Sequence, residues 1–183
     1  MPYPSKTDRQ TILATAMQQV SRDGIHKLAI RSVAAALGLA PNALYRYFAN
    51  LAALEAALAE ESRRRLLEAL RKAAGNKPPE QAIQSIARAY LRFARDQRQV
   101  FSLTLMPPAT GTVGAAAHEQ SGRFVVGHVA RIYGEKRAPD AAIALWAFLH
   151  GMAVLETAGV FGGRKPLSSF EFGLRMWLEA ATI

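Results

Sequence analysis

Apolar residues return every three to four positions through almost the whole chain, and no stretch keeps the two-residue alternation of a half-buried strand. A first helix is predicted from Thr7, where Thr7 and Gln10 have the spacing of a capping box. Ile12, Leu13, Ala16 and Val20 form its core face, and Gly24 stops it. Two short helices follow, from Ile30 to Leu37 and from Pro41 to Tyr47, parted by Gly38, Leu39 and Ala40. A long helix is predicted from Leu51 to Ala73, entered through Asn50 as its N-cap. Gly75-Asn76-Lys77-Pro78-Pro79 is the clearest break. Beyond it, Ile83, Ile86, Tyr90, Phe93 and Ala94 mark one helical face, and Met106-Pro107-Pro108 ends the next short segment. A loop is expected from there to Gly114. Phe124, Val125, His128, Val129 and Ile132 form a further stripe. Pro139 and Asp140 open a helix that is apolar nearly all round, which predicts burial on several sides. Ser168 and Glu171 make a second capping box, ahead of Phe172, Trp177 and Leu178. The pattern predicts an all-α fold of about nine helices.

Composition narrows the class. The 183 residues suffice for one ordinary domain or two small units, half of them hydrophobic and a fifth charged, as in globular chains. There is no cysteine, which excludes a disulfide framework, a thiolate zinc site and a cysteine nucleophile, and fits a reducing cytoplasm. The opening MPYPSKTDRQ lacks the apolar run of a signal peptide. The longest strongly apolar stretch, Ala141 to Leu155, falls short of the roughly 20 residues that a bilayer span needs. A cytoplasmic protein with no membrane partner is expected. The net charge of +9 favours polyanions, provided the charge coincides with a docking element.

Such an element lies between Gly24 and Phe48, in GIHKLAIRSVAAALGLAPNALYRYF. A helix-turn-helix needs two short helices and a tight turn, apolar within and polar toward the groove. Gly38 supplies the turn residue tolerant of positive φ. Val33 and Leu37 can pack with Leu44 and Phe48, while Pro41 suits the first position of the second helix. A helix starting there turns Asn42, Tyr45 and Arg46 outward, as donors suited to base edges and phosphates.

With these residues in view, positions 7 to 60 resemble the DNA-binding domain of the TetR family of bacterial repressors, most specifically from Ala34 to Phe48. The resemblance implies that Tyr45 and Tyr47 reach phosphates. It implies that Pro41, Asn42 and Arg46 lie in or beside the major groove, preceded by Ala40, and that Arg31 and Ser32 touch the DNA backbone. Ala29 and Ala40 stand where the family commonly carries hydroxyl residues, and Leu51 where it often has Lys. Trp146-Ala-Phe-Leu-His150-Gly151, followed by Leu155-Glu156, resembles the Trp-His-Gly motif of one C-terminal subgroup. A helix-turn-helix domain over residues 1–50 and a ligand-binding and dimerisation domain over 51–183 are therefore expected. Family likeness also implies a homodimer through the last two helices, Pro139 to Gly159 and Ser168 to Ala181, and a small hydrophobic effector. A two-fold dimer must place its recognition helices about 34–36 Å apart to engage both half-sites of double-stranded operator DNA.

Phe93, Phe101, Met106, Phe124 and His128 are candidate effector-pocket residues, although aromatics at helical spacing are more often plain core. Trp146 and His150, one turn apart, read first as a core or interface pair and second as effector contacts. Arg63-Arg64-Arg65 reads as a solvated face, because consecutive helical residues splay around the axis. The histidines at 26, 118, 128 and 150 lack metal-site spacing, so neither metal nor cofactor is expected. No Ser-His-Asp set or carboxylate pair announces catalysis. The expectation is a repressor and not an enzyme. A constitutive DNA-binding protein without effector, and a small all-helical enzyme, remain as rivals.

Overall fold

The computed structural model describes residues 7–107 and 114–182. Among them are nine α-helices, two 3-10 turns and no strand. The loop expected after Pro107 lies, up to residue 113, outside the described residues. Packing divides the chain into two compact units, one within Met1–Arg64 and Gln97–His118, the other within Arg65–Asp96 and Glu119–Ile183.

In the first unit, α1 (Arg9–Asp23) begins two residues later than the capping-box spacing predicts. Asp8 is the cap: its carboxylate accepts the Thr11 N–H at 2.7 Å, and that bond holds the Asp8 carboxyl below the usual range. Thr7 has another function, described below. Gly24 ends the helix at φ +81, a left-handed angle open to glycine, with its N–H on the Val20 carbonyl. α2 (Ile30–Ala36) and α3 (Pro41–Leu44) pack on each other, and α1 packs on α2. α4 (Leu51–Ala74) starts as expected at Asn50, whose Oδ1 accepts the Ala53 N–H at 2.8 Å. α6 (Arg98–Leu103) lies against α1. Ile12, Met17, Val20, Val33, Leu44, Phe48, Leu54, Leu58 and Leu103 are buried here. At about 1.5–3 kcal/mol for each fully buried large apolar side chain, this burial is what holds such short helices in place.

The second unit packs α5 (Pro79–Asp96) on α8 (Ala138–Thr157), and α8 on α9 (Leu167–Glu179). Ile83, Ile86, Leu145, Leu149, Phe170 and Leu174 form its buried core, and α7 (Gly114–Tyr133) adds Val129. Helix α9 starts at Leu167 with Pro166 at the cap position, so the second capping box is not formed. Glu171 is instead in a two-pronged ion pair with Arg88 of α5, at 2.9 and 3.0 Å. Arg95 reaches Glu156 at 2.6 Å.

Helix α8 extends over 20 residues and is long and apolar enough, by composition, to cross a membrane, unlike the shorter run expected from sequence. Its residues Ala142, Leu145, Leu149 and Ala153 turn inward. The helix is not buried all round, however. Ile143 is 63% exposed and Trp146 50%, with Val154 continuing the line. On α9, Phe172 and Met176 are likewise exposed, one turn apart. Where α8 meets α9 the backbones come close: a Cβ at Gly173 would stand 2.5 Å from Cζ of Phe148. The Phe148 ring stacks on Phe170, with centroids 6.2 Å apart.

Candidate nucleic-acid interface

The helix-turn-helix is built from the inside outward. Val33, Leu44 and Phe48 are buried, and Leu37 is half-buried as the C-cap of α2. Gly38 makes the turn at φ +66, and the Leu39 N–H returns to the Ala34 carbonyl at 2.9 Å. Pro41 occupies the first turn of α3. Regular helix ends at Leu44 rather than Tyr47. The Tyr47 and Phe48 amides both bond to the Leu44 carbonyl, so the segment closes as a tight turn.

With the apolar side fixed, the outer side is fixed too. Arg31, Ser32, Ala40, Pro41, Asn42, Tyr45 and Arg46 are all exposed. From Gly24 to Leu54 the chain carries Lys27, Arg31 and Arg46 and no carboxylate. An amide, a phenol and guanidinium groups thus stand on a segment that carries no negative charge of its own, which suits a polyanion.

Two of the expected contact residues have internal partners. Ser32 places its hydroxyl 2.9 Å from Gln19 Oε1 and 2.8 Å from the Ala29 carbonyl, while Gln19 Nε2 donates to the Ser32 carbonyl at 3.0 Å. Tyr47 is half-buried and donates its hydroxyl to the Thr7 carbonyl at 2.8 Å. The Arg9 guanidinium returns the favour, donating to the Tyr47 carbonyl at 2.9 Å and lying 4.3 Å over the Phe48 ring. Thr7 and Arg9 thus clamp the exit of α3 to the start of α1. Sequence reasoning read Thr7 only as a cap and did not single out Arg9, because a contact across about 40 positions leaves no local periodicity.

The candidate pocket residues are split between the units. Phe101 (buried) and Met106 (half-buried) belong to the first; Phe93, Phe124, His128, Trp146 and His150 belong to the second. Phe124 and His128 meet edge-on at 4.8 Å, and Trp146 lies 5.8 Å from His150. Tyr90, read from sequence only as core, has its hydroxyl 3.1 Å from His150 Nδ1. Burial pushes the Tyr90 phenol up to about 12 and His150 below its usual value, so at neutral pH this is a pair of uncharged groups. Burial also lowers His128, whose Nδ1 is enclosed without a hydrogen-bond partner. Among the described residues no three His, Asp or Glu side chains gather as a metal site.

Comparison with known proteins joins both halves. Residues 12–58 match the family model described as bacterial regulatory proteins, tetR family, and residues 83–177 match the tetracyclin repressor-like C-terminal domain. An uncharacterized HTH-type transcriptional regulator of Mycobacterium tuberculosis is 27% identical over 160 residues, 86% of this chain and 73% of that protein. A protein of unknown function from Rhodococcus shares the fold with a TM-score of 0.84 at 25% identity, over 98% of each chain. The fold also matches a TetR variant from Acinetobacter baumannii in complex with minocycline, with a TM-score of 0.70 at 20% identity over 95% of this chain and 96% of that one.

Proposed function

The chain belongs to the tetR family of bacterial regulatory proteins, and from that premise we propose that it is a homodimeric repressor of transcription. It grips a palindromic double-stranded operator through α2 and α3 and lets go when a small hydrophobic molecule binds its C-terminal part. The observation that carries this reading is the exposed set Arg31, Asn42, Tyr45 and Arg46 on a segment without carboxylates, held outward by buried Val33, Leu44 and Phe48. Tyr45 serves phosphate, Asn42 and Arg46 the major groove, and Pro41 and Ala40 the close approach of backbone to DNA. Arg31 and Ser32 steady the first helix on the DNA backbone. Tyr47 acts first as a clamp on Thr7 and reaches phosphate only by giving up that bond.

The division of labour falls at residue 50: residues 1–50 bind DNA, and 51–183 bind effector and partner. The exposed lines Ile143-Trp146-Val154 and Phe172-Met176 support a two-fold dimer through α8 and α9, since exposed apolar patches mark interaction sites. Within the second unit, Phe93, Phe124, His128 and His150 are the candidate effector contacts. Trp146 goes to the dimer face, given its exposure. The reading calls for no cofactor, no catalysis and a cytoplasmic site of action.

Selection of bound duplexes from a random DNA pool, at near-physiological salt, tests the proposal. Enrichment of a palindrome with half-sites about one helical turn apart is the expected result. Binding without enrichment would reduce the protein to a charge-driven DNA binder. No retained DNA from a folded dimer would overturn the reading.

A further inference from the structure

Arg63 is a buried cation, 4% exposed, in a run of three arginines, of which Arg64, on the next position, is exposed and paired with Glu61. A guanidinium is almost never buried without a set of partners that replaces its water. Arg63 has such a set. Its Nε donates to the Thr104 carbonyl at 3.3 Å and its Nη2 to the Met106 carbonyl, while Nη1 lies 3.6 Å from Glu60, one turn back on α4. Thr104 is the C-cap of α6, and Met106 lies two residues beyond. The fork therefore closes on the carbonyl-rich exit of α6, where free oxygens and the helix dipole favour a cation. Beside it, the buried Ser62 hydroxyl donates to the Leu58 carbonyl at 2.8 Å, so no buried polar group of this turn competes for the same carbonyls.

The position of this fork gives it meaning. α6 rests on α1, and the side chain of Gln99 approaches Gly24, at the end of α1, closely enough that a Cβ there would meet its Oε1 at 3.2 Å. α4 is the helix that follows the helix-turn-helix directly in sequence. Resting on the reading above, we infer that Arg63 is a positioning residue that latches the exit of α6 to α4. The latch makes α6, the first half of α4 and the DNA-binding helices move as one body. Without it, the exit of α6 is free to shift against α4, and the seat that α6 gives α1 is no longer fixed.

The test separates positioning from simple stability. Rigidly held heads gain on a palindrome through effective concentration, whereas a single half-site is blind to slack between heads. Arg63→Met and Arg63→Lys are compared with the wild type on the selected palindrome and on a duplex carrying one half-site. Lysine keeps the charge beside Glu60 but lacks the planar fork that spans two carbonyls. The expected result for both is a tenfold or greater loss on the palindrome, half-site affinity within about twofold, and faster amide exchange confined to residues 98–107. Unchanged affinity for the palindrome, or equal losses on both duplexes, overturns the inference. If the Met variant loses its helical circular dichroism, the Lys variant decides alone. Should the wild type select no duplex at all, the DNA reading fails first. In that case exchange at 98–107 as slow in the Lys variant as in the wild type overturns the latch too.

Discussion

At the scale of single residues, the proposed function gives the neighbours Tyr45 and Arg46 separable roles on DNA. An arginine reading a base edge supplies about 1–3 kcal/mol and a preference at one position, whereas a phosphate contact carries no sequence information. Arg46→Ala is expected to weaken the selected palindrome tenfold or more and to relax one base position in a repeated selection. Tyr45→Ala should weaken all duplexes by a similar factor and leave the selected sequence unchanged. Competition binding against single-base variants of the site checks both, and a shift in preference on losing Tyr45 would refute its assignment. The outward position of these two side chains was legible in the sequence, because the apolar spacing of Leu44 and Phe48 leaves Tyr45 and Arg46 on the other side even though regular helix stops at Leu44. Tyr47 was only half legible: its place near the surface followed from the motif, but its bond to Thr7 joins residues 40 positions apart. Arg63 was misread, since splaying around a helix axis says that one of three arginines turns inward but not which.

Elements were predicted best where a local rule decides them. Gly24, Gly38, Pro41 and Asn50 each punctuate the chain where the structure has a helix end, a turn or a cap. The capping boxes at Thr7 and Ser168 failed for a common reason. Asp8, one residue on, offers a charged acceptor in place of a hydroxyl, and Glu171 is drawn to Arg88 on another helix. The pairing of α8 with α9 rests on a contact no pattern announces, the approach of Phe148 to the Gly173 backbone. Gly173→Ala removes a helix-weakening glycine, which by itself stabilises by about 1 kcal/mol. The new methyl must nonetheless displace a ring stacked on Phe170, and overpacking costs about 1–3 kcal/mol. The net expectation is a lower midpoint in urea unfolding. A higher midpoint would show that Phe148 swings aside freely.

For the whole molecule, an all-α architecture followed directly from the periodicity, and nine helices are present among the described residues. The roles of the two faces of α8 did not follow. A segment apolar nearly all round reads as buried on several sides without saying which side stays open; Ile143, Trp146 and Val154 are the ones left outside, on the face the proposed second copy would cover. The chain has two tryptophans, and they fall on opposite sides of that distinction. Trp177 is half-buried, its indole N–H on the Ala141 carbonyl at 3.0 Å and its ring 4.7 Å from Tyr133. Trp146 is half exposed. Dilution through the dissociation range should therefore move the emission maximum to longer wavelength, in step with the mass seen by sedimentation. Trp146→Phe should abolish that movement while Trp177 emits unchanged. If the proposed dimer forms through this face, the exposed indole of Trp146 becomes a built-in optical gauge of assembly, readable without a dye.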